Sequence, residues 1–231
     1  FIVAIGVGAG RGFANGVLTT LFRLPSIIVT LGTLNLYRGL TFIVSNARQV
    51  DRQYIPSDLK AMSTGAVPWI IVIAIAIAIL TYWFADHTRV GRQVYALGSN
   101  PVAAPLRGIR VNAVTLMVFS ISGALAGLSG IMYASRWGFV NPSNTGSGFE
   151  FQVIAAVVIG GVSINGGVGS VLGVVFGVLL LGCVSAALPL LGIPGTAQSA
   201  IYGAVIIIAL LIDRSVRQRG IRALAMQRAR A

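Results

Sequence analysis

Hydrolytic, redox and metal chemistry need reactive side chains in company, and this 231-residue chain keeps its few apart. His87 is the only histidine and Cys183 the only cysteine. No intrachain disulfide, CxxC site or histidine metal cluster can be built from them. The five acids, Asp51, Asp58, Asp86, Glu150 and Asp213, lie in loops or at the ends of apolar runs. An intramembrane enzyme would need a Ser–His, His–Glu or paired-Asp constellation at depth, and the sequence has no material for one. Lys60 is the single lysine and no G-x-x-x-x-G-K-[ST] string occurs, so phosphate-loop ATPase chemistry does not reside here. "GVGAGRG" at 6–12 resembles a dinucleotide fingerprint in its glycines only, because it lies in an apolar run without a strand–turn–helix context. We expect no catalytic residue, metal or cofactor.

Other polar side chains lie in the apolar runs. Asn15, Thr30, Thr33, Asn35, Ser163 and Asn165 place hydroxyl and amide groups within or beside apolar runs, as do Ser120 and Ser122. Such groups could line a path for a neutral polar solute. Arg11 and Arg38 also sit in apolar runs. Charges at membrane depth are costly and often functional, but a long stem can also carry its charge toward an interface. Glu150 opens "FEFQVIAAVVIGG", where an acid suits a helix N-terminus.

These residues must be positioned by membrane helices. The chain is 56% hydrophobic and 10% charged, against roughly 25% charged in soluble domains. So little charge cannot cover a water-facing surface, and the runs are continuous rather than alternating, which indicates helices rather than barrel strands. Residues 61–85, 111–135 and 151–212 carry no charge. With breaks at "GGVSINGGVGS" (160–170) and "PLLGIPGTAQS" (189–199), the last stretch divides into spans near 151–163, 168–188 and 197–212, the first of them short. Two less regular apolar runs precede a polar segment at 46–66. The expected fold is an all-α, polytopic transmembrane helical bundle with about seven membrane segments, forming one transmembrane domain over 1–231. Phe1 opens inside an apolar run without a basic n-region or cleavage site, so we read an N-terminally truncated form and no signal peptide. Small residues recur in "SGALAGLSG" (122–130) and "GSVLGVVFGVLLLG" (169–182), as close helix packing in membranes requires.

The net charge of +12 follows membrane topology better than nucleic-acid binding. Arg23, Arg89, Arg92, Arg107, Arg110 and the six arginines from Arg214 to Arg230 fall on one side if spans alternate. The positive-inside rule makes that side cytoplasmic. The segment 86–112 and the tail 213–231 are then cytoplasmic, and 46–66 and 136–149 external.

Within 86–112, "ALGSNPVAAPLRGIRV" interrupts two long apolar runs with a small, basic knob. It predicts a turn with Asn100 capping, a short helix within 98–109, a smooth face at Ala103 and Ala104, and a stop at Gly108. Pro105 would shorten that helix. The bland alternative is an interfacial loop whose arginines touch anionic lipid. The string resembles the coupling segment of permease subunits of bacterial ABC importers for ribose, xylose, rhamnose and autoinducer 2, A-x-G-x-N-x-x-A-A-x-x-x-G-I, through Ala96, Gly98, Asn100, Ala103, Ala104, Gly108 and Ile109. The resemblance continues through "FSISGALAGLSGIMYASR", "NPSNTGSGFEFQVIAAVVIGG" and "NGVLTTLFRLPSIIVTLGTLNLYRGL". It implies a multi-pass inner-membrane permease without catalysis of its own. It also implies a second permease copy or paralogue, cytoplasmic ABC ATPase subunits and a periplasmic sugar-binding protein. Gly98, Ser99, Asn100, Pro101, Ala103, Ala104, Gly108 and Ile109 would meet the ATPase, and the surrounding membrane lipid is the remaining partner. A stand-alone channel or secondary carrier is the rival reading, but ion coupling usually uses an acid within a span.

The topology is testable with single cysteines. An impermeant thiol reagent added outside intact cells should label a cysteine at position 57 and miss one at position 99; the reverse pattern would invert the orientation.

Overall fold

The computed structural model describes residues 1–64, 67–164, 166–193, 197–198, 200–208 and 211. Among these, all regular elements are helices: α1 (Ile2–Leu21), α2 (Ser26–Val44), α3 (Ser57–Thr64), α4 (Trp69–His87), α5 (Arg89–Ser99), α6 (Val111–Trp137), α7 (Phe149–Ile159) and α8 (Val171–Leu190), with single 3-10 turns at Arg52–Tyr54 and Pro105–Arg107. The protein is an all-α, multi-pass helical bundle. Five helices, α1, α2, α4, α6 and α8, are long and apolar enough to cross a membrane. The expected count of seven segments divides differently. With 11 residues, α7 rises only about 16 Å, roughly half the hydrocarbon thickness. The expected last span is helical at 200–208, and its ends lie outside the described residues, as does the whole tail 213–231.

Local signals set the ends. Pro25, with φ −56°, directly precedes α2, where its missing N–H costs nothing. Gly138 stops α6 in the left-handed region at φ 73°, a conformation that glycine adopts without penalty. The chain forms two compact units, residues 1–80 with 101–147, and 81–100 with 148 onward.

In the first unit, α1 lies antiparallel on α6. Ala4, Gly8, Gly12 and Gly16 recur every fourth residue and share one face of α1. Ala4 faces Gly127, Gly8 faces Gly123, Gly12 faces Phe119 and Gly16 faces Leu116. A Cβ at Gly8 or Gly12 would overlap a carbonyl oxygen of α6, and one at Gly123 or Gly127 a carbonyl oxygen of α1. Backbone therefore meets backbone. The glycines of "GVGAGRG" belong to this seam, which explains their spacing without a nucleotide.

At the C-terminal end of α6, the stretches 49–63 and 135–141 meet. Val50 and Val140 exchange backbone hydrogen bonds of 3.0 Å, and Asn141 Nδ2 donates to Gln49 Oε1 at 3.2 Å. The Ser63 hydroxyl donates to the Ser135 carbonyl at 2.8 Å, and the buried Ser135 hydroxyl donates to the Leu59 carbonyl at 2.5 Å. The short helix α3 is thus latched to the last turn of α6.

In the second unit, α7 and α8 form a hairpin by the same device. A Cβ at Gly173 would overlap the Gly160 carbonyl, one at Gly177 the Ala156 carbonyl, and one at Gly160 would lie 2.6 Å from Val174 Cα. Ala155, Ala156, Leu181 and Tyr202 make the buried cluster beside it. Gln152 Nε2 donates to Ser185 Oγ at 3.3 Å, and Ser185 Oγ is 2.5 Å from the Tyr202 hydroxyl. Ser185 also donates to the Leu181 carbonyl at 2.8 Å, so the Tyr202 hydroxyl is the donor to Ser185. These polar groups satisfy one another inside an apolar hairpin.

Glycines in the seam and outside it should respond oppositely. Gly12→Leu should lower stability by about 1–3 kcal/mol or more, because the carbonyl it meets cannot move aside. Gly10→Ala, with nothing near its Cβ position, should be neutral or stabilising by up to about 1 kcal/mol. Unfolding midpoints in mild detergent check both, and equal losses would contradict the seam.

Candidate functional site

The segment 86–112 begins with a sharp corner. Thr88 caps α5, its hydroxyl oxygen accepting from the Gly91 N–H at 2.9 Å and its O–H donating to the Phe84 carbonyl at 2.6 Å. Gly91 is buried because a Cβ there would overlap the carbonyls of Phe84 and Ala85. The helix is amphipathic: Val90, Val94 and Leu97 are half-buried, while Arg89 and Arg92 are exposed. An α-helix thus precedes the knob instead of forming it. Asn100 ends α5, with its N–H donating to the Ala96 carbonyl at 3.2 Å.

The short helix expected within 98–109 is replaced by a turn at 101–104 and the 3-10 turn Pro105–Arg107. Pro105 opens the latter, and Gly108 closes it at φ 75°, so the expected stop holds. Arg107 N–H donates to Ala104 O at 3.1 Å and Ile109 N–H to the same carbonyl at 3.3 Å. Ala104 is only 3% exposed, so it packs the knob from within. The outward apolar side chains are Val102 at 84% and Leu106 at 87% exposure, flanked by exposed Pro101, Arg107 and Arg110.

The C-terminal end of α5 packs against the glycine turn that follows α7. A Cβ at Gly98 would lie 2.5 Å from Gly167 N, and one at Gly167 2.5 Å from Ser99 Cα. Tyr95 OH donates to the Gly169 carbonyl at 3.4 Å and Ser99 Oγ to the Gly167 carbonyl at 3.3 Å. Gly161, Gly166 and Gly167 have φ of 81°, 88° and 78°, as a tight turn of this kind needs. Within it, Ser163 N–H donates to the Val168 carbonyl at 2.9 Å.

Three of the residues expected along a solute path bond within their own helix. Thr30, Thr33 and Asn35 donate to carbonyls within α2, to Ser26 at 2.9 Å, Val29 at 2.9 Å and Leu31 at 3.1 Å. Ser163 lies in the glycine turn, and Asn165 lies outside the described residues. Asn15 differs: its Oδ1 accepts from the Tyr37 hydroxyl at 3.3 Å, and the Arg11 guanidinium carbon stands 5.2 Å from the centre of the Tyr37 ring. Tyr37 escaped the sequence reading because a tyrosine in an apolar run resembles core. Helix α5 escaped too, although Thr88 followed by apolar residues at 90, 94 and 97 is a readable start and period.

A bundle of long apolar helices interrupted by a capped amphipathic helix and a projecting basic knob defines a polytopic membrane protein of the transport class. The sequence profile of the family described as "Branched-chain amino acid transport system / permease component" matches residues 1–210, and the chain belongs to that family. It is 39% identical over 223 residues to the "Autoinducer 2 import system permease protein LsrC" of Yersinia enterocolitica, covering 94% of this chain and 60% of the relative. The protein of the same name from Yersinia pseudotuberculosis is 36% identical over 222 residues, covering 94% and 62%. The chain thus spans about 60% of the length of these relatives. No solved structure gives a significant match.

The contact between α5 and the glycine turn separates two glycine effects. Gly108→Ala, at a positive φ in open space, should cost about 1–2 kcal/mol. Gly167→Ala, where positive φ coincides with a backbone clash, should cost about 1–3 kcal/mol more. Equal shifts of the unfolding midpoint would mean that α5 does not rest on this turn.

Proposed function

We propose that this chain is the membrane-spanning permease of an ATP-driven ABC importer that moves a sugar or sugar-like solute, such as autoinducer 2, into the cytoplasm. Residues 1–231 would act as one permease domain in the inner membrane, beside a second copy or a paralogue. Cytoplasmic ATPase subunits would bind the 86–112 segment, a periplasmic binding protein would deliver the solute, and the tail 213–231 would be cytoplasmic. The chain would translocate without catalysing a reaction of its own. The family description speaks of branched-chain amino acids and the relatives' names of autoinducer 2. We favour the latter class because the relatives match across 94% of this chain.

The single observation that carries the coupling role is the knob. Val102 and Leu106, at 84% and 87% exposure, are held outward on a turn with buried Ala104 beneath it, between Gly98 and Ile109. Two apolar side chains on a rigid turn suit a groove on a protein partner. Arginines touching lipid would not require them. A channel or secondary carrier would have no use for such a docking turn, and ion coupling would favour an acid within a long span, where none lies away from the helix ends among the described residues.

Burying Val102 and Leu106 in a partner is worth about 1.5–3 kcal/mol for each side chain. Val102→Asp with Leu106→Asp should therefore strip the ATPase from the full-length permease in mild detergent and abolish uptake of autoinducer 2 or ribose. Arg107→Gln should do much less. Retention of the ATPase by the double variant, with loss of membrane association in Arg107→Gln, would favour the lipid reading.

A further inference from the structure

We infer that Arg11, with Asn15 and Tyr37, forms a binding site midway through the membrane for the hydroxyl and carbonyl oxygens of the transported solute. This rests on the transport reading above and adds a place and a chemistry to it. The first ground is depth. Arg11 stands ten residues, about 15 Å of rise, before the end of α1 at Leu21, about twice what an arginine stem covers, so its charge cannot reach the headgroups at that end. Tyr37 is at matching depth: it is the twelfth residue of α2, which runs Ser26–Val44.

The second ground is the lack of a counter-charge at that depth. The acids are Asp51, Asp58, Asp86, Glu150 and Asp213. Among the described helices, α1, α2, α6 and α8 carry none, α4 has one in its last turn and α7 one in its first. The guanidinium instead rests over the Tyr37 ring at 5.2 Å. A ring face orients a cation without neutralising it. An intramembrane charge held this way faces water or a polar ligand, and Arg11 is exposed on the surface of this chain.

The third ground is the donor pattern. The Tyr37 hydroxyl donates toward Asn15 Oδ1 at 3.3 Å and the Arg11 carbonyl at 3.4 Å. Tyr37 thus joins the Asn15 amide and the Arg11 guanidinium in one cluster. The guanidinium offers N–H donors only, and donors select oxygen acceptors. The cluster suits a small, oxygen-rich solute, and the arginine charge repels a cation.

The test uses the full-length permease with its ATPase subunits and binding protein in proteoliposomes. Asn15→Cys is made in a Cys183→Ser background and treated with the impermeant reagent 2-sulfonatoethyl methanethiosulfonate, with and without ribose or autoinducer 2. We expect position 15 to be labelled and the transported solute to slow the labelling. Arg11→Gln should cut uptake at low solute concentration by at least about tenfold, the loss of a charge-assisted hydrogen bond. The complex and its ATP hydrolysis should remain. Tyr37→Phe, which keeps the ring, should give a smaller rise in KM. An inert cysteine at 15, normal uptake by Arg11→Gln, or loss of the complex in that variant would each overturn the site. Absence of ATP-dependent uptake by the unmodified complex would instead overturn the transport reading, and the labelling at position 15 would still report whether the site meets water.

Discussion

Lipid tails are as apolar as the side chains they touch, so helices in a membrane gain little from the hydrophobic effect when they associate. What holds them is close packing, and the closest packing is between backbones. The rest of the structure depends on this constraint. Gly8, Gly12, Gly123 and Gly127 remove the side chains between α1 and α6, and Ala156, Gly160, Gly173 and Gly177 do the same between α7 and α8. Large apolar side chains such as Ile27, Ile79 and Phe176 are left on the outer surface, where a soluble protein could not keep so many.

The same device recurs where α5 meets the turn after α7. There it joins an amphipathic helix to a stretch of irregular backbone that a half-length helix leaves within the bundle. Gly98 and Gly167 permit contact without an intervening side chain. A displacement of α5 would therefore reach that turn directly, with no flexible side chain to absorb it.

Polar groups at depth fall into two kinds. Gln152, Ser185 and Tyr202 form a closed chain in which donors meet acceptors, and Thr30 and Thr33 turn back onto their own helix. These satisfy the demand that buried polar groups be paired. Arg11, by contrast, is exposed and rests over the Tyr37 ring.

The sequence by itself determined the class. Long uncharged runs can only be membrane helices, the scattered acids and lone histidine leave no catalytic constellation, and the string from Ala96 to Ile109 carries the family likeness. Gly108 was legible as a stop because its conformational need is local. Tertiary structure decided the rest, for a physical reason in each case. Whether an apolar segment spans depends on where its helix ends, and α7 stops at Ile159 because Gly160 leaves the helical conformation and Gly161 takes a positive φ of 81°. Ala104 and Val102 are both small apolar residues in one turn. Only the fold of that turn sends one inward and the other out. Nothing local in "NLYRGL" marks Tyr37 as the partner of Arg11 and Asn15, because that pairing joins residues 22 and 26 positions apart and exists only once two helices lie side by side.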